Sequence, residues 1–214
     1  MKNILCYGDS NTYGYNPAEG HGSRYSKNKR WTTILQQLLG NEYEVIAEGL
    51  NGRTTAYDRP GFSWKNGLTH LPAIMGSHKP IDYIIFMLGT NDCNTEMKLS
   101  SIDIAHGMEL LIRATIEYSK IQQMFVPEII LIAPAPISGN IEASPFYGEI
   151  DITSCNKSVE IIEQYKSIAD KYSCNFIDAS DVEVSKIDCE HLTENGHKML
   201  AEMIYSTVFD KKVK

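Results

Sequence analysis

The sequence lacks the features that would place the protein in a membrane or on a nucleic acid. None of its 214 residues belongs to an apolar run approaching the roughly 18 residues that a membrane-spanning helix requires. Its 20 Lys and Arg residues are outnumbered by 27 Asp and Glu residues, for a net charge of -7. Nucleic-acid binding usually needs a basic face, so neither partner is expected. The one basic cluster is interpreted as a solvated loop and comprises Arg24, Lys27, Lys29 and Arg30.

Paired cysteines are also missing. The five cysteines are an odd set without a Cys-x-x-Cys spacing, and they are Cys6, Cys93, Cys155, Cys174 and Cys189. The apolar run at residues 3–7 is too short for the hydrophobic segment of a signal peptide. We therefore predict reduced thiols in a cytoplasmic protein. A secreted protein whose signal has been removed is the alternative.

Several common functional motifs are absent as well. The chain has no Gly-x-Ser-x-Gly elbow, which excludes the usual α/β-hydrolase nucleophile. It has neither a Gly-x-x-x-x-Gly-Lys-Ser/Thr nor a Gly-x-Gly-x-x-Gly segment, the standard nucleotide signatures. The chain also lacks the His-Glu-x-x-His and clustered-cysteine signatures of zinc sites. No cofactor and no metal are therefore expected.

Short apolar runs alternate with amphipathic stretches, a pattern typical of βα units on a parallel sheet. Strands are predicted at residues 3–7, 43–47, 82–88, 128–133 and 175–177. Helical periodicity marks a helix from Trp31 that ends at Gly40, and a last helix begins after Thr193. The pattern predicts one three-layer α/β domain over residues 1–214. Residues 14–29, 54–71 and 134–153 are predicted as loops that rim a site.

The chemically distinctive residues follow these predicted strands. Residues 8–11 (Gly-Asp-Ser-Asn), 49–55 (Gly-Leu-Asn-Gly-Arg-Thr-Thr) and 89–92 (Gly-Thr-Asn-Asp) come directly after strands, and 188–191 (Asp-Cys-Glu-His) precede the last helix. In a parallel sheet the strand-end segments meet at one edge. Each segment alone also fits ordinary turn chemistry, so the argument rests on their joint occurrence in this order.

Together these segments predict nucleophilic catalysis. A serine hydroxyl is a weak nucleophile that needs a base within hydrogen-bond reach, and the base needs an orienting partner. Ser10 is the candidate nucleophile, His191 the base and Asp188 the residue that orients it. The developing oxyanion requires donors, for which the Asn91 amide and the backbone N–H groups of Ser10 and Gly52 are candidates.

Two other hypotheses stay open at this point. One is a flavodoxin-like binding module that holds a phosphate or nucleotide at the turn containing Ser10, which leaves Asp188 and His191 without a role. The other is a cysteine hydrolase that uses Cys189 or Cys93. His197 is interpreted as a surface or packing residue rather than a rival base. The aromatic candidates for a substrate pocket, each equally compatible with packing, are Tyr13, Trp31, Trp64 and Phe146.

The sequence resembles the SGNH (GDSL-type) hydrolase superfamily, named for residues that match Ser10, Gly52, Asn91 and His191. Residues 49–55 and 88–92 are similar to the arylesterase/acyltransferase-like branch. The resemblance implies a flavodoxin-like α/β/α fold around a parallel five-stranded sheet and a metal-free triad of Ser10, Asp188 and His191.

The resemblance also implies activity on small acyl esters, acyl transfer to alcohols, and homo-oligomers. Acetylated carbohydrates, lysophospholipids and thioesters are alternative substrates within the superfamily. Asn11 departs from the family pattern because many relatives carry Leu there, and this puts fine specificity in doubt. The roles of Asn11, Arg53 and the rim loops are open.

Overall fold

The computed structural model describes residues 1–20 and 22–210. Five strands form one wholly parallel sheet in the order β2-β1-β3-β4-β5. The strands are β1 (Lys2–Gly8), β2 (Tyr43–Gly49), β3 (Tyr83–Met87), β4 (Glu128–Ala133) and β5 (Asn175–Asp178). The predicted α/β class, parallel sheet and strand number are confirmed. Each observed strand lies within two residues of its predicted ends.

Helices cover both faces of the sheet. They are α1 (Ser10–Tyr13), α2 (Trp31–Leu39), α3 (Gly67–His78), α4 (Ser101–Gln122), α5 (Ile152–Tyr172) and α6 (Glu194–Ile204). The long ones begin at side-chain caps, because Ser100, Asp151 and Thr193 accept backbone N–H groups from the first turns of α4, α5 and α6.

Alternate side chains of the strands enter two separate apolar cores. Leu5 and Phe86 pack with α3, α4 and α5 on one face, whereas Ile4 and Ile85 pack with α2 and α6 on the other. Strand β3 is buried along its entire length, as expected for a strand covered by helices on both faces. The result is the expected three-layer arrangement.

Two of the predicted loops are partly wrong. Residues 54–71 contain the start of α3, and residues 134–153 contain the first two residues of α5. Helix α3 has a weak periodic pattern because Pro72 and Gly76 interrupt it, yet Asn66 caps its first turn and Leu71 and Met75 are buried. Tertiary packing, rather than local pattern, decides this helix.

The sheet order places three of the functional segments side by side. Strand β1 lies between β2 and β3, so the segments after these strands meet at the carboxyl edge. The segment with His191 follows β5, which lies three strands away from β1. It returns across the edge of the sheet and is fixed by Ser144, whose hydroxyl donates to the Asp188 carbonyl at 2.9 Å.

Candidate active site

Ser10 stands at the first position of α1, directly after β1. Asp9 caps this short helix, and its Oδ1 accepts the backbone N–H of Asn11 at 2.9 Å. The turn is tight, since a Cβ placed on Gly8 would lie 2.1 Å from Thr12 Oγ1. The sharp turn therefore holds the Ser10 side chain at the carboxyl edge of the sheet, where 7% of the residue's surface is exposed.

In the Asp188–His191 segment, the Asp188 carboxylate orients both the loop backbone and the His191 ring. Asp188 Oδ1 accepts the backbone N–H groups of Glu190 at 3.3 Å and of His191 at 3.2 Å. Its Oδ2 lies 2.8 Å from His191 Nδ1. The three-residue spacing thus lets one carboxylate fix both the loop backbone and the imidazole ring, and it leaves Nε2 of the ring turned away from Asp188.

The structure brings the three predicted triad residues together. His191 Nε2 lies 2.8 Å from Ser10 Oγ. Asp188 and His191 are 1% and 5% exposed, so both hydrogen bonds of the imidazole are shielded from bulk water. Tyr15 packs beside the imidazole with ring centroids 4.3 Å apart, and the Phe146 ring meets it in an edge-on contact with the centroids 5.9 Å apart. These contacts restrict the ring to the orientation that meets Ser10.

Opposing effects act on the pKa of His191. Burial by itself lowers it, whereas the hydrogen bond to Asp188 and the charge of Glu190 raise it, with a net increase above 6.5. Glu190 Oε1 lies 3.7 Å from His191 Nδ1. Burial raises the pKa of Glu190 to about 7. His191 therefore lies beside a second carboxyl group, which the sequence pattern did not indicate.

The expected oxyanion donors lie in the same cavity as Ser10. Ser10, Gly52 and Asn91 all line it. Within the described part of the chain, the backbone N–H groups of Ser10 and Gly52 meet no protein acceptor. Gly52 has φ of 79°, a left-handed conformation that favours glycine. Two backbone donors without a protein acceptor among the described residues therefore belong to residues that line the cavity.

Unlike the backbone N–H groups of Ser10 and Gly52, the side-chain amide of Asn91 already donates hydrogen bonds within the protein. Its Nδ2 donates to the Arg53 carbonyl at 3.1 Å and, at 3.4 Å, to Asp9 Oδ2. The Arg53 contact fixes the plane of the amide. The Asp9 contact is long, so the second amide hydrogen is only weakly held and can turn to a stronger acceptor.

Asn11 connects the two halves of the site, a role that the sequence did not predict. Its Oδ1 accepts the Leu192 N–H at 2.9 Å, and its Nδ2 donates to the Glu190 carbonyl at 3.2 Å. The two residues that flank His191 are therefore tied to the residue after the nucleophile. The only signal for this role in the sequence was the position of Asn11 beside Ser10.

Arg53 is a buried anchor of the turn after β2. Its Nη1 donates to the Gly8 carbonyl at 2.7 Å and also to the Glu48 carbonyl, while the guanidinium stacks 4.1 Å from the Tyr7 ring centroid. These contacts join the ends of β1 and β2 beneath the site. Arg53 thus supports the segment that carries Gly52 and does not face the cavity.

The cavity above Ser10 has a volume of about 260 Å³ and a largely polar wall. Of the predicted aromatic candidates, Phe146 lines the cavity. Trp31 is buried in the core, and Trp64 is 57% exposed and does not line the cavity. Tyr13 stacks on Arg24 instead. The lining residues are Ser10, Tyr15, Gly22, Asn51, Gly52, Arg59, Lys65, Asn91, Asn94, Phe146, Glu149, Ile150, Glu190 and His191.

The cysteine-hydrolase hypothesis gains no support from the geometry. Cys93 and Cys189 are buried, and burial raises the pKa of both thiols, which disfavours the thiolate that a cysteine nucleophile requires. His197 is packed in the interior with its Nδ1 3.4 Å from the Trp31 N–H. Among residues 1–20 and 22–210, no three His, Cys, Asp or Glu side chains are grouped so that they could hold a metal ion.

Comparison with known proteins matches residues 6–199 to the GDSL-like lipase/acylhydrolase family. The chain belongs to that family. This confirms the resemblance seen in the sequence and makes the protein a carboxylic ester hydrolase of the SGNH type. No curated protein matches the chain. None of the helices in the described residues has the length and apolarity needed to cross a membrane.

Solved structures of other family members resemble this one over nearly the whole chain. An aryl esterase from M. smegmatis is 33% identical with a TM-score of 0.87, and covers 97% of this chain and 100% of its own. A carbohydrate acetylesterase family member from Sinorhizobium meliloti is 32% identical with a TM-score of 0.90, and covers 97% of each chain. A putative arylesterase from Agrobacterium tumefaciens is 29% identical with a TM-score of 0.83, covering 97% of this chain and 100% of its own. The α/β/α hydrolase fold is thereby confirmed.

Proposed function

We propose that the protein is a serine esterase that hydrolyses small acyl esters through a triad of Ser10, His191 and Asp188. The observation that carries the proposal is the chain of two contacts, 2.8 Å from Ser10 Oγ to His191 Nε2 and 2.8 Å from His191 Nδ1 to Asp188 Oδ2. A nucleophile, a base and an orienting acid in this arrangement are the parts that ester hydrolysis requires.

In the first step Ser10 Oγ attacks the ester carbonyl carbon while His191 Nε2 takes the hydroxyl proton. Asp188 stabilises the resulting imidazolium through Nδ1. The carbonyl oxygen becomes an oxyanion that accepts the N–H groups of Ser10 and Gly52 and the amide of Asn91. Donors fixed in a shielded site stabilise this charge without reorganisation.

The tetrahedral intermediate then collapses. The bond to the leaving alcohol breaks, and His191 returns its proton to the alkoxide oxygen, which leaves an acyl group on Ser10. Water next attacks the acyl carbon while His191 removes a proton from it, and Ser10 is regenerated. An alcohol that replaces water at this step receives the acyl group, so acyl transfer is part of the proposal.

The cavity favours compact, polar esters. Its volume of about 260 Å³ and its polar wall leave little room or apolar surface for the long chain of a lysophospholipid. Acetylated carbohydrates form the second candidate class, since Asn51, Asn94 and Glu149 can hydrogen-bond sugar hydroxyls. The similarity to a carbohydrate acetylesterase family member supports this class, and the similarity to aryl esterases supports aryl acetates.

The deciding experiment compares the unmodified protein with Ser10→Ala on p-nitrophenyl acetate. We expect kcat to fall by about 10⁴-fold or more, as when the nucleophile of a triad is removed. Ser206→Ala is the matched control, because its exposed hydroxyl donates to the Met203 carbonyl and has no other partner among the described residues. A fluorophosphonate probe followed by peptide mass spectrometry should add one adduct, on Ser10. Undiminished turnover of Ser10→Ala would refute the proposal.

A panel of acetylated methyl glycosides and aryl acetates separates the two substrate classes by kcat/KM. Adding methanol or glycerol to the assay tests acyl transfer. If the added alcohol attacks the acyl-enzyme, a new ester forms and less free acid is released. If free acid is the only product, only water reaches the acyl group.

A further inference from the structure

The cavity wall beside Gly52 carries a lysine side chain. Lys65 lines the same cavity as Ser10 and Gly52. A Cβ built on Gly52 would lie 2.6 Å from Lys65 Nζ and 3.0 Å from its Cδ. The lysine chain therefore lies directly against Gly52, in space that a side chain at position 52 would fill. Its ammonium group is held close to one of the proposed oxyanion donors.

The charge of Lys65 has no carboxylate partner in the described part of the chain. No hydrogen bond or ion pair reaches its Nζ, which instead lies 4.7 Å from the centroid of the Phe62 ring. The other cation that lines the cavity is Arg59, and it is paired with both Glu96 and Glu149. The aromatic contact holds the ammonium group in place, while its hydrogen-bonding capacity is left for the cavity.

The acidic groups of the cavity lie against partners other than Lys65. Glu149 Oε2 lies 2.8 Å from Arg59 Nη2, and Glu190 lies against His191. Burial and the charge of Arg59 lower the pKa of Lys65, whereas Glu149 and Glu96 raise it. The cavity is therefore divided, with an unpaired cation beside Gly52 and a carboxylate beside the general base.

We propose that Lys65 recognises an anionic group on the ester, so that the preferred substrates of this enzyme are small esters that carry a carboxylate. This inference rests on the proposed esterase function and names the substrate class of the same site. An ammonium N–H that donates to a carboxylate oxygen forms a charge-assisted hydrogen bond, stronger than a neutral one. The carboxylate belongs either to the acyl part, as in a dicarboxylic half-ester, or to the alcohol part, as in an acylated hydroxy acid.

Three esters distinguish these sources. p-Nitrophenyl acetate is neutral, mono-p-nitrophenyl succinate carries the carboxylate on the acyl part, and 4-carboxyphenyl acetate carries it on the alcohol part. In Lys65→Met we expect kcat/KM for one of the anionic esters to fall by about 10- to 100-fold more than for the neutral ester, mainly through KM. Lys120→Met removes an exposed lysine of α4 and controls for the change in net charge.

Two results would overturn the inference. An equal loss of kcat on all three esters would show that Lys65 acts on the oxyanion common to them. An equal response of all three esters to Lys65→Met and Lys120→Met would show that Lys65 recognises nothing. The charge-reversed Lys65→Glu variant adds a check, since it should discriminate against the preferred anionic ester more strongly than Lys65→Met does.

A binding measurement separates this inference from the esterase proposal. Monomethyl succinate and O-acetylglycolate are titrated by calorimetry into Ser10→Ala protein and into the Ser10→Ala/Lys65→Met double variant. We expect one of the two anions to bind about 10-fold or more weakly to the double variant. Equal affinities would refute the role of Lys65 even if hydrolysis were never observed, and a difference would support it whatever the fate of the triad.

Discussion

Asn11 Oδ1 accepts the backbone N–H of Leu192 across 2.9 Å, and this bond joins the nucleophile turn to the loop of the general base. A second bond runs from Asn11 Nδ2 to the Glu190 carbonyl at 3.2 Å. Residues 190 and 192 flank His191, so the amide of Asn11 holds the imidazole loop from both sides. The position of His191 relative to Ser10 therefore depends on the side chain of Asn11.

Replacing Asn11 with Leu should impair chemistry more than binding. The change roughly keeps the side-chain volume but removes both bonds, so the imidazole is no longer fixed against Ser10. We expect kcat to fall by about 10- to 100-fold, the cost of a small misplacement of a catalytic group, with KM changed by less. The Leu192 N–H also loses its acceptor, at a cost of about 1–3 kcal/mol.

Steady-state kinetics on p-nitrophenyl acetate, together with urea unfolding, tests the role of Asn11. Asn28→Leu, on the exposed surface, is the control. An Asn11→Leu enzyme that is less stable but has an unchanged kcat would show that Asn11 serves the fold and does not position the base.

Asn91→Ala should reduce kcat by about 10²–10³, because an oxyanion donor acts mainly in the transition state. The Arg53 carbonyl holds the plane of this amide at 3.1 Å, so a single donor is removed from a fixed position. Asn140→Ala, in an exposed loop, serves as the control. If only KM rises while kcat is retained, Asn91 binds the ground state and is not part of the oxyanion site.

Glu190→Gln should move the acid limb of the pH–rate profile to lower pH. His191 must be neutral to accept the Ser10 proton, so activity rises as pH passes through its pKa. Burial lowers that pKa, but Asp188 and Glu190 raise it above 6.5 in total. Removing the Glu190 charge removes one raising cause and extends activity toward acid.

The measurement for Glu190 is kcat/KM against pH for both proteins, with the exposed Glu142→Gln as the control. The 3.7 Å contact predicts that most of this shift in the pH profile persists at high salt. A shift that disappears at high salt would show that the charge of Glu190 acts on His191 through solvent. An acid limb that does not move would contradict the assignment.

In His197→Gln, the free energy of unfolding should depend less on pH on the acid side than in the unmodified protein. Burial lowers the pKa of His197 from 6.5 to about 3, so between these values the unfolded chain binds a proton that the folded chain does not. The buried neutral imidazole stabilises the fold above pH 6.5, and this contribution is lost as pH falls toward 3. The variant lacks this titration.

Urea unfolding at several values of pH between about 7 and 4.5 tests this expectation. The stability advantage of the unmodified protein over His197→Gln should shrink as pH falls. A stability difference that is constant with pH would mean that His197 does not remain neutral in the fold.

The sequence by itself determined the five strands and the candidate residues at their ends. The alternation of apolar residues in strands and their 3.6-residue period in helices are local patterns. They predict β4 at its observed ends, and α2 from Trp31 to its end before Gly40. Ser10, Asn91 and His191 are candidates from the sequence because each lies at a strand end or before a helix cap, positions that short motifs mark. Asp188 is a candidate through its spacing to His191, since one loop turn presents both side chains.

Tertiary structure alone decided how these parts meet. Helix α3 forms despite Pro72 because Leu71 and Met75 are buried against the sheet. The return of the His191 segment from β5 depends on Ser144 and Asn11, which are 44 and 181 residues distant in sequence from their partners in that segment. Tyr15 and Lys65 likewise enter the cavity wall through the path of the rim loops, and Glu190 enters it through the returning segment that carries His191. Contacts between residues far apart in sequence leave no periodic signal, so the shape and charge of the site are properties of the folded chain.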